Sequence, residues 1–141
     1  MTLSLSTALL VASFLSMPFL ATPSYAAQKI DVDLTKLSKT MIFAEVYHMV
    51  SKPEDYIGKI VKIKGILAEA QDEETGTYYT AVLIADAAAC CQQGLEFEWT
   101  GHKYPNGFPK VGSKVSLTGK FTTYEENGMT YIRIVTDKLH W

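Results

Sequence analysis

The hydrophobic period of the chain changes once, near Gly58. Before it, Ile42, Val46, Met49 and Val50 recur at helical spacing, as do Phe43 and Tyr47. That spacing predicts a helix over Met41–Val50, apolar on most faces and packed on a sheet. Thr40 stands where an N-cap belongs. Lys52-Pro53 ends the run, because a residue before proline disfavours the helical region. After Gly58 the period is two. Val61, Ile63 and Leu67 share one face of a first strand while Lys62 and Lys64 point to solvent, and Gly65 inside it marks a bulge or tight bend. A second strand spans Thr77–Ala85, with an end apolar enough to be buried on both faces. Leu95, Phe97 and Trp99 alternate with Glu96 and Glu98 in a third. Val115, Leu117 and Phe121 face inward from a fourth, which carries Gly119. Asn127-Gly128 is a strong hairpin turn leading into a fifth over Met129–Asp137, with Ile132 and Ile134 inward.

Five short strands with glycines inside the first and fourth predict a small closed barrel. The strand number, and the length and curvature of the first and fourth strands, favour an OB-type barrel over an SH3-like barrel or an open sandwich. The expected fold is mainly β: a five-stranded OB-type barrel with one N-terminal helix over residues 40–141, led in by an extended segment over residues 27–39.

The residues before that segment read as a targeting signal. Leu3 to Leu20 are apolar or hydroxylic, and the first charge is Lys29. Pro18 and Pro23 break the run ahead of Ser24-Tyr25-Ala26, which places small residues where a signal peptidase reads. A signal peptide over residues 1–26 is expected, with Ala27 as the alternative end. No Lys or Arg stands near Met1, so the usual positive n-region is missing. A run of about 20 apolar residues is also long enough for a membrane anchor, but the two prolines and the Ser/Thr content disfavour one. No cysteine follows the run to carry a lipid. The mature chain is then exported to the periplasm, cell envelope or medium without a transmembrane segment.

Composition narrows the function classes. Of 141 residues, 48% are hydrophobic and the formal net charge is −2, which describes a folded domain rather than a disordered one. The same balance argues against nucleic acid as a partner, since that affinity comes from clustered Lys and Arg. There is no Ser-His-Asp order, phosphate loop or H-E-x-x-H motif, and the chain is read as not an enzyme. Asp72-Glu73-Glu74 lacks calcium-loop spacing and reads as a solvated turn.

The unusual local feature is Asp86-Ala87-Ala88-Ala89-Cys90-Cys91-Gln92-Gln93-Gly94, which holds both cysteines. Adjacent cysteines cannot staple distant segments. Three readings stay open: a pair of small buried hydrophobes, thiolate ligands of zinc or copper, or a thiol-redox pair cycling through a vicinal disulfide. In the metal reading Cys90 and Cys91 act with His102 or His48, His140 is a further nitrogen candidate, and Asp86 supplies an oxygen. His48 also suits the C-terminal end of its helix, where a positive imidazole favours the dipole. His140, next to the C-terminus, is expected to be disordered. Tyr78, Tyr79, Phe97 and Trp99 lie on strands two and three, where OB folds stack bases or sugars; Tyr79 and Trp99 are binding candidates there, although Glu96 and Glu98 repel phosphate.

Pro53-Glu54-Asp55-Tyr56-Ile57-Gly58 through Gly65 resembles the opening of small exported OB-fold proteins of bacteria. Ile84-Ala85-Asp86 through Cys90-Cys91-Gln92-Gln93-Gly94-Leu95-Glu96-Phe97 resembles a stretch of lipoprotein-like proteins of Gram-positive bacteria. It is also similar to the C-terminal domain of a permease-subunit family with a Cys-Cys-Ala-Ala-Asp-Ala run, though here Asp-Ala precedes the cysteines. The resemblance covers about Ala44 to Asp137; it implies the fold and an envelope location, and brings no activity. The functional expectation is an exported, non-enzymatic OB-fold binding module holding a transition metal through the cysteine loop. The alternatives are a thiol-redox protein and a scaffold or interaction domain with an envelope protein as partner.

Overall fold

The computed structural model of the chain describes residues 29–85, 87, 88 and 90–141. The expected signal peptide lies outside them. Two short strands, β1 (Val32–Asp33) and β7 (Leu139–His140), flank five long ones: β2 (Ile60–Gln71), β3 (Tyr78–Ala85), β4 (Gln92–Trp99), β5 (Lys114–Glu126) and β6 (Met129–Thr136). The single helix of more than one turn among the described residues is α1 (Lys39–Ser51). The described residues are therefore mainly β with one α-helix.

The five long strands pair in a ring. β2 pairs antiparallel with β3, β3 with β4, β4 runs parallel to β6, β6 pairs antiparallel with β5, and β5 returns antiparallel to β2. β2 makes this possible by serving two neighbours. It faces β5 from Ile60 to Ile66 and β3 from Ile66 to Gln71. Alternation then turns one face of every strand into the ring. Val61, Ile63 and Leu67 from β2 meet Val82, Leu95, Phe97, Val115, Leu117, Phe121 and Ile134, all almost fully buried.

Gly65 and Gly119 lie where backbones crowd. A Cβ on Gly65 would overlap the Leu83 carbonyl oxygen and come within 2.6 Å of Val82 Cγ1. One on Gly119 would overlap the Val135 carbonyl oxygen and come within 2.7 Å of Ile134 Cγ2. Both glycines therefore permit close approach between strands, as interior strand glycines often do. The β5–β6 turn uses backbone freedom differently: Asn127 (φ 51°) and Gly128 (φ 76°) are both left-handed, the geometry of a two-residue hairpin.

The segment ahead of the ring departs from the expected extended lead-in. Asp31 exchanges two bonds with Ile60, its N–H donating to the Ile60 carbonyl and its carboxylate accepting from the Ile60 N–H, both at 2.9 Å. This seats β1 parallel to β2. A 3-10 turn at Leu34–Lys36 then buries Leu34 in the core. A two-residue strand carries no readable period, so the pattern could not announce it.

α1 begins earlier than expected. Its N-cap is Ser38, whose hydroxyl accepts from the Met41 N–H at 3.4 Å, rather than Thr40. It packs on β3 and β4 through Val46 and Met49, with Ile42 partly buried, while Met41, Tyr47 and Val50 stay exposed. The helix is thus less widely buried than its composition suggested. In β3, Thr80, Val82 and Ile84 are buried and Ala81 and Leu83 only half-buried, so the strand covers one face fully and not both. His140, expected to be disordered, sits in β7 opposite Ser116. No helix among the described residues is long and apolar enough to cross a membrane.

Gly65→Ala and Gly119→Ala are each expected to destabilise the fold by about 1–3 kcal/mol or to prevent folding, because the added methyl meets backbone that cannot yield cheaply. Glu74→Ala, exposed on the β2–β3 turn, should stay within about 0.5 kcal/mol. Urea midpoints with unchanged slopes check both expectations.

Candidate functional site

β4 and β6 pair over three positions only, Phe97 with Ile134, Glu98 with Val135 and Trp99 with Thr136. Around this short join the β5–β6 hairpin is tied to β3 and β4 by side chains. Tyr79 Oη donates to Glu126 at 2.8 Å, Tyr124 Oη donates to Glu96 at 2.8 Å, and Arg133 pairs with Glu98 at 2.7 Å. The Arg133 guanidinium also lies over the Tyr124 ring, 4.4 Å from its centre, close enough for a cation–π contact.

These bridges border a cleft of about 470 Å³. One wall is aromatic. Tyr78 leans on Tyr104 (ring centres 5.2 Å apart), Tyr104 meets Phe108 edge-on (5.5 Å), and Phe108 meets Trp99 edge-on (5.2 Å). His102 lies flat on Trp99, 3.6 Å away and within 11° of parallel. The loop after β4 supplies these rings by folding back over the strand it has just left, held by the His102 N–H donating to the Trp99 carbonyl at 3.0 Å. The other wall is polar, formed by Glu96, Glu98, Glu126 and Arg133.

Three carboxylates thus line the cleft with one guanidinium, while Lys103 is exposed at the rim. Burial raises the pKa of Glu96, and the nearby Glu126 and Glu98 push the same way; the Tyr124 hydroxyl and Arg133 oppose them. Tyr79 is pushed up to about 12, chiefly because its hydroxyl hydrogen bonds to Glu126. Tyr124 is also raised, first by burial and then by its bond to Glu96. Both phenols are therefore neutral donors at ordinary pH.

Of the residues singled out from sequence, Tyr79 and Trp99 line this cleft, and so does His102, stacked on Trp99. Cys90 and Cys91 are elsewhere. They precede β4, whereas His102 follows it, and eight extended residues place about 25 Å between the two ends. Both cysteines are exposed, which overturns their reading as buried hydrophobes. His48 is on α1, half-buried, where Nδ1 meets Tyr56 Oη at 2.7 Å and Nε2 lies 3.7 Å from Asp55. Tyr56 gives its only hydroxyl proton to Glu45 at 2.7 Å, so Nδ1 of His48 is the donor in their contact. His140 is exposed in β7. Among the described residues no three His, Cys, Asp or Glu side chains are grouped to hold a metal ion, and Asp86 lies outside them.

The sequence reading missed Glu126, Tyr124 and Arg133, and read Glu96 and Glu98 only as phosphate-repelling charges. Alternation alone points Glu96 outward; that it meets Tyr124 depends on the strand order of the ring. The signal present in the chain was the density of carboxylates on strands rich in aromatic residues. No protein-family model matches this chain, and comparison with curated proteins finds no match either.

Because burial raises the folded-state pKa of Glu96, protonating it favours the fold. That contribution is complete below the ordinary glutamate value of 4.5 and is lost as pH rises through the higher folded-state value. Carboxyl-carbon NMR should show a glutamate titrating above the ordinary value of 4.5 that is missing in Glu96→Gln. The variant should also lose this part of the pH dependence of the urea midpoint. A Glu96 resonance titrating with the exposed glutamates contradicts the assignment.

Proposed function

We propose that the chain is an exported, non-enzymatic binding module built on an OB-type barrel, and that its cleft holds an organic cation. The ring of five strands supports the barrel assignment, with β2 to β6 as its five strands in chain order. In OB barrels, ligands lie on the face of strands two and three, flanked by the loops joining strands one to two and four to five. The cleft shares part of that address. Its lining includes Gly76 and Thr77 from the first of these loops, residues of β3 and β4, Glu126 beside the Asn127-Gly128 turn and Arg133 of β6, and it adds His102, Lys103, Tyr104 and Phe108 from the loop between strands three and four. Export rests on the apolar Leu3–Leu20 run and the Ser24-Tyr25-Ala26 site, and gives the module a place at the cell envelope.

The ligand class follows from one observation: three carboxylates and an aromatic wall share a cleft whose single inner cation, Arg133, is already paired with Glu98. Ring faces and carboxylates both attract positive charge. An amine or quaternary ammonium entering there gains both and relieves repulsion among Glu96, Glu98 and Glu126. Phosphate meets the wrong sign. A neutral sugar leaves the repulsion among the three carboxylates unrelieved.

Choline, a primary diamine, a neutral N-acetylglucosamine oligosaccharide and a short oligonucleotide can be titrated against the protein by calorimetry and Trp fluorescence. Choline or the diamine should bind, more weakly at high salt. Replacing Glu96 and Glu126 together by Gln should weaken that binding about tenfold, or roughly 1.4 kcal/mol, with the fold retained. Preference for the oligosaccharide, or unchanged cation affinity in the double variant, would overturn the assignment.

A further inference from the structure

The cysteine loop carries a second chemistry, independent of the cleft. In an extended strand, successive side chains point to opposite faces, so two adjacent cysteines inside β4 would hold their thiols apart. Cys90 and Cys91 escape that rule because they fall in the bend just before β4 begins at Gln92. Their Sγ atoms stand 3.5 Å apart, and both residues are exposed. The loop lies at the end of the β3–β4 pair where Ala85 meets Gln92. The cleft draws on the other end, where Thr80 meets Phe97.

We propose that Cys90 and Cys91 form a redox-active dithiol that exchanges with disulfides, either low-molecular-weight or on a protein. One cysteine, as its thiolate, attacks a sulfur of R–S–S–R. The sulfur–sulfur bond breaks, a mixed disulfide forms, and the departing thiolate takes up a proton to leave as RSH. The second cysteine then loses its proton to solvent and attacks the mixed-disulfide sulfur on its neighbour. This closes the Cys90–Cys91 bond and releases a second RSH. Two electrons pass from the protein to R–S–S–R, which is reduced to two thiols. The reverse sequence reopens the ring at the cost of two thiols.

The arrangement suits cycling better than permanent cross-linking. Neighbouring Cα atoms are held about 3.8 Å apart by their peptide bond, below the usual separation for a disulfide of about 4.4–6.8 Å. The closed eight-membered ring is therefore strained and easily reduced. It joins no distant segments, so opening it leaves the fold untouched. Metal chelation asks for more. Two thiolates on one tetrahedral zinc stand about 3.8 Å apart, which the pair could reach, but zinc needs further ligands, and His102 is stacked on Trp99 at the opposite end of β4.

The test uses the full exported chain, purified without reductant, treated with EDTA and then equilibrated in mixtures of glutathione and glutathione disulfide, with products read by intact mass. The wild type should pass to a species lighter by two hydrogens and keep no lasting glutathione adduct. Cys90→Ser and Cys91→Ser should each retain one adduct instead, with far-UV circular dichroism unchanged. A wild type that keeps adducts like the single variants, or whose two thiols do not react, overturns the proposal. So does a bound metal, found before EDTA treatment, that both single variants lose and that blocks the thiols until removed; that result would make the pair a metal site.

Discussion

β2 has to satisfy two different neighbours along one continuous strand, β5 with its first half and β3 with its second. A strand can do this only by coiling strongly, so that its hydrogen-bonding edges turn from one partner to the other. The changeover falls at Gly65 and Ile66, where the absent side chain lets β3 come in close. Gly119 plays the corresponding part against β6. The enclosed core, the seat for α1 and the placement of β4 beside β6 all depend on that coiling, because a flat sheet would not return to its starting strand.

The cleft follows from how the ring is closed. A parallel join of three residue pairs leaves the hairpin and the β3–β4 pair to be tied by side chains. The residues that do so are tyrosines, glutamates and an arginine, groups able to bond to one another and to a guest. On the proposed function, structure and binding would draw on the same atoms. Glu96 accepts from Tyr124 and Glu126 from Tyr79, yet each carboxylate retains a second oxygen. The raised pKa of Glu96 reflects first its burial and then the like charges of Glu126 and Glu98 nearby.

How much of this was legible in the chain depends on the range of the interaction. The alternation of Val61, Ile63 and Leu67, the Asn127-Gly128 turn and the two interior glycines are local signals, and each marks a real feature of the ring. β1 and the 3-10 turn after it escaped notice because they are held by Asp31 reaching Ile60 across 29 positions. Tyr79 and Trp99 could be picked out as binding candidates from their strands. Tyr124, Glu126 and Arg133 could not, since only the strand order brings them to the same place. The histidines were singled out for their chemistry, and their partners were beyond the reach of local pattern: His48 meets Tyr56 and His102 stacks on Trp99.

The narrowness of the β4–β6 join has a dynamic meaning. Every other junction of the ring has at least six residue pairs in register, so this is the line along which the sheet parts most readily. Amide protons of Phe97 to Trp99 and Ile134 to Thr136 are expected to exchange through a local opening of lower free energy than global unfolding. The cleft is lined from both banks of that line, by Trp99 and Glu98 on one side and Arg133 on the other. On the proposed reading, a ligand in the cleft would hold the two banks together and slow exchange at these amides relative to the empty molecule.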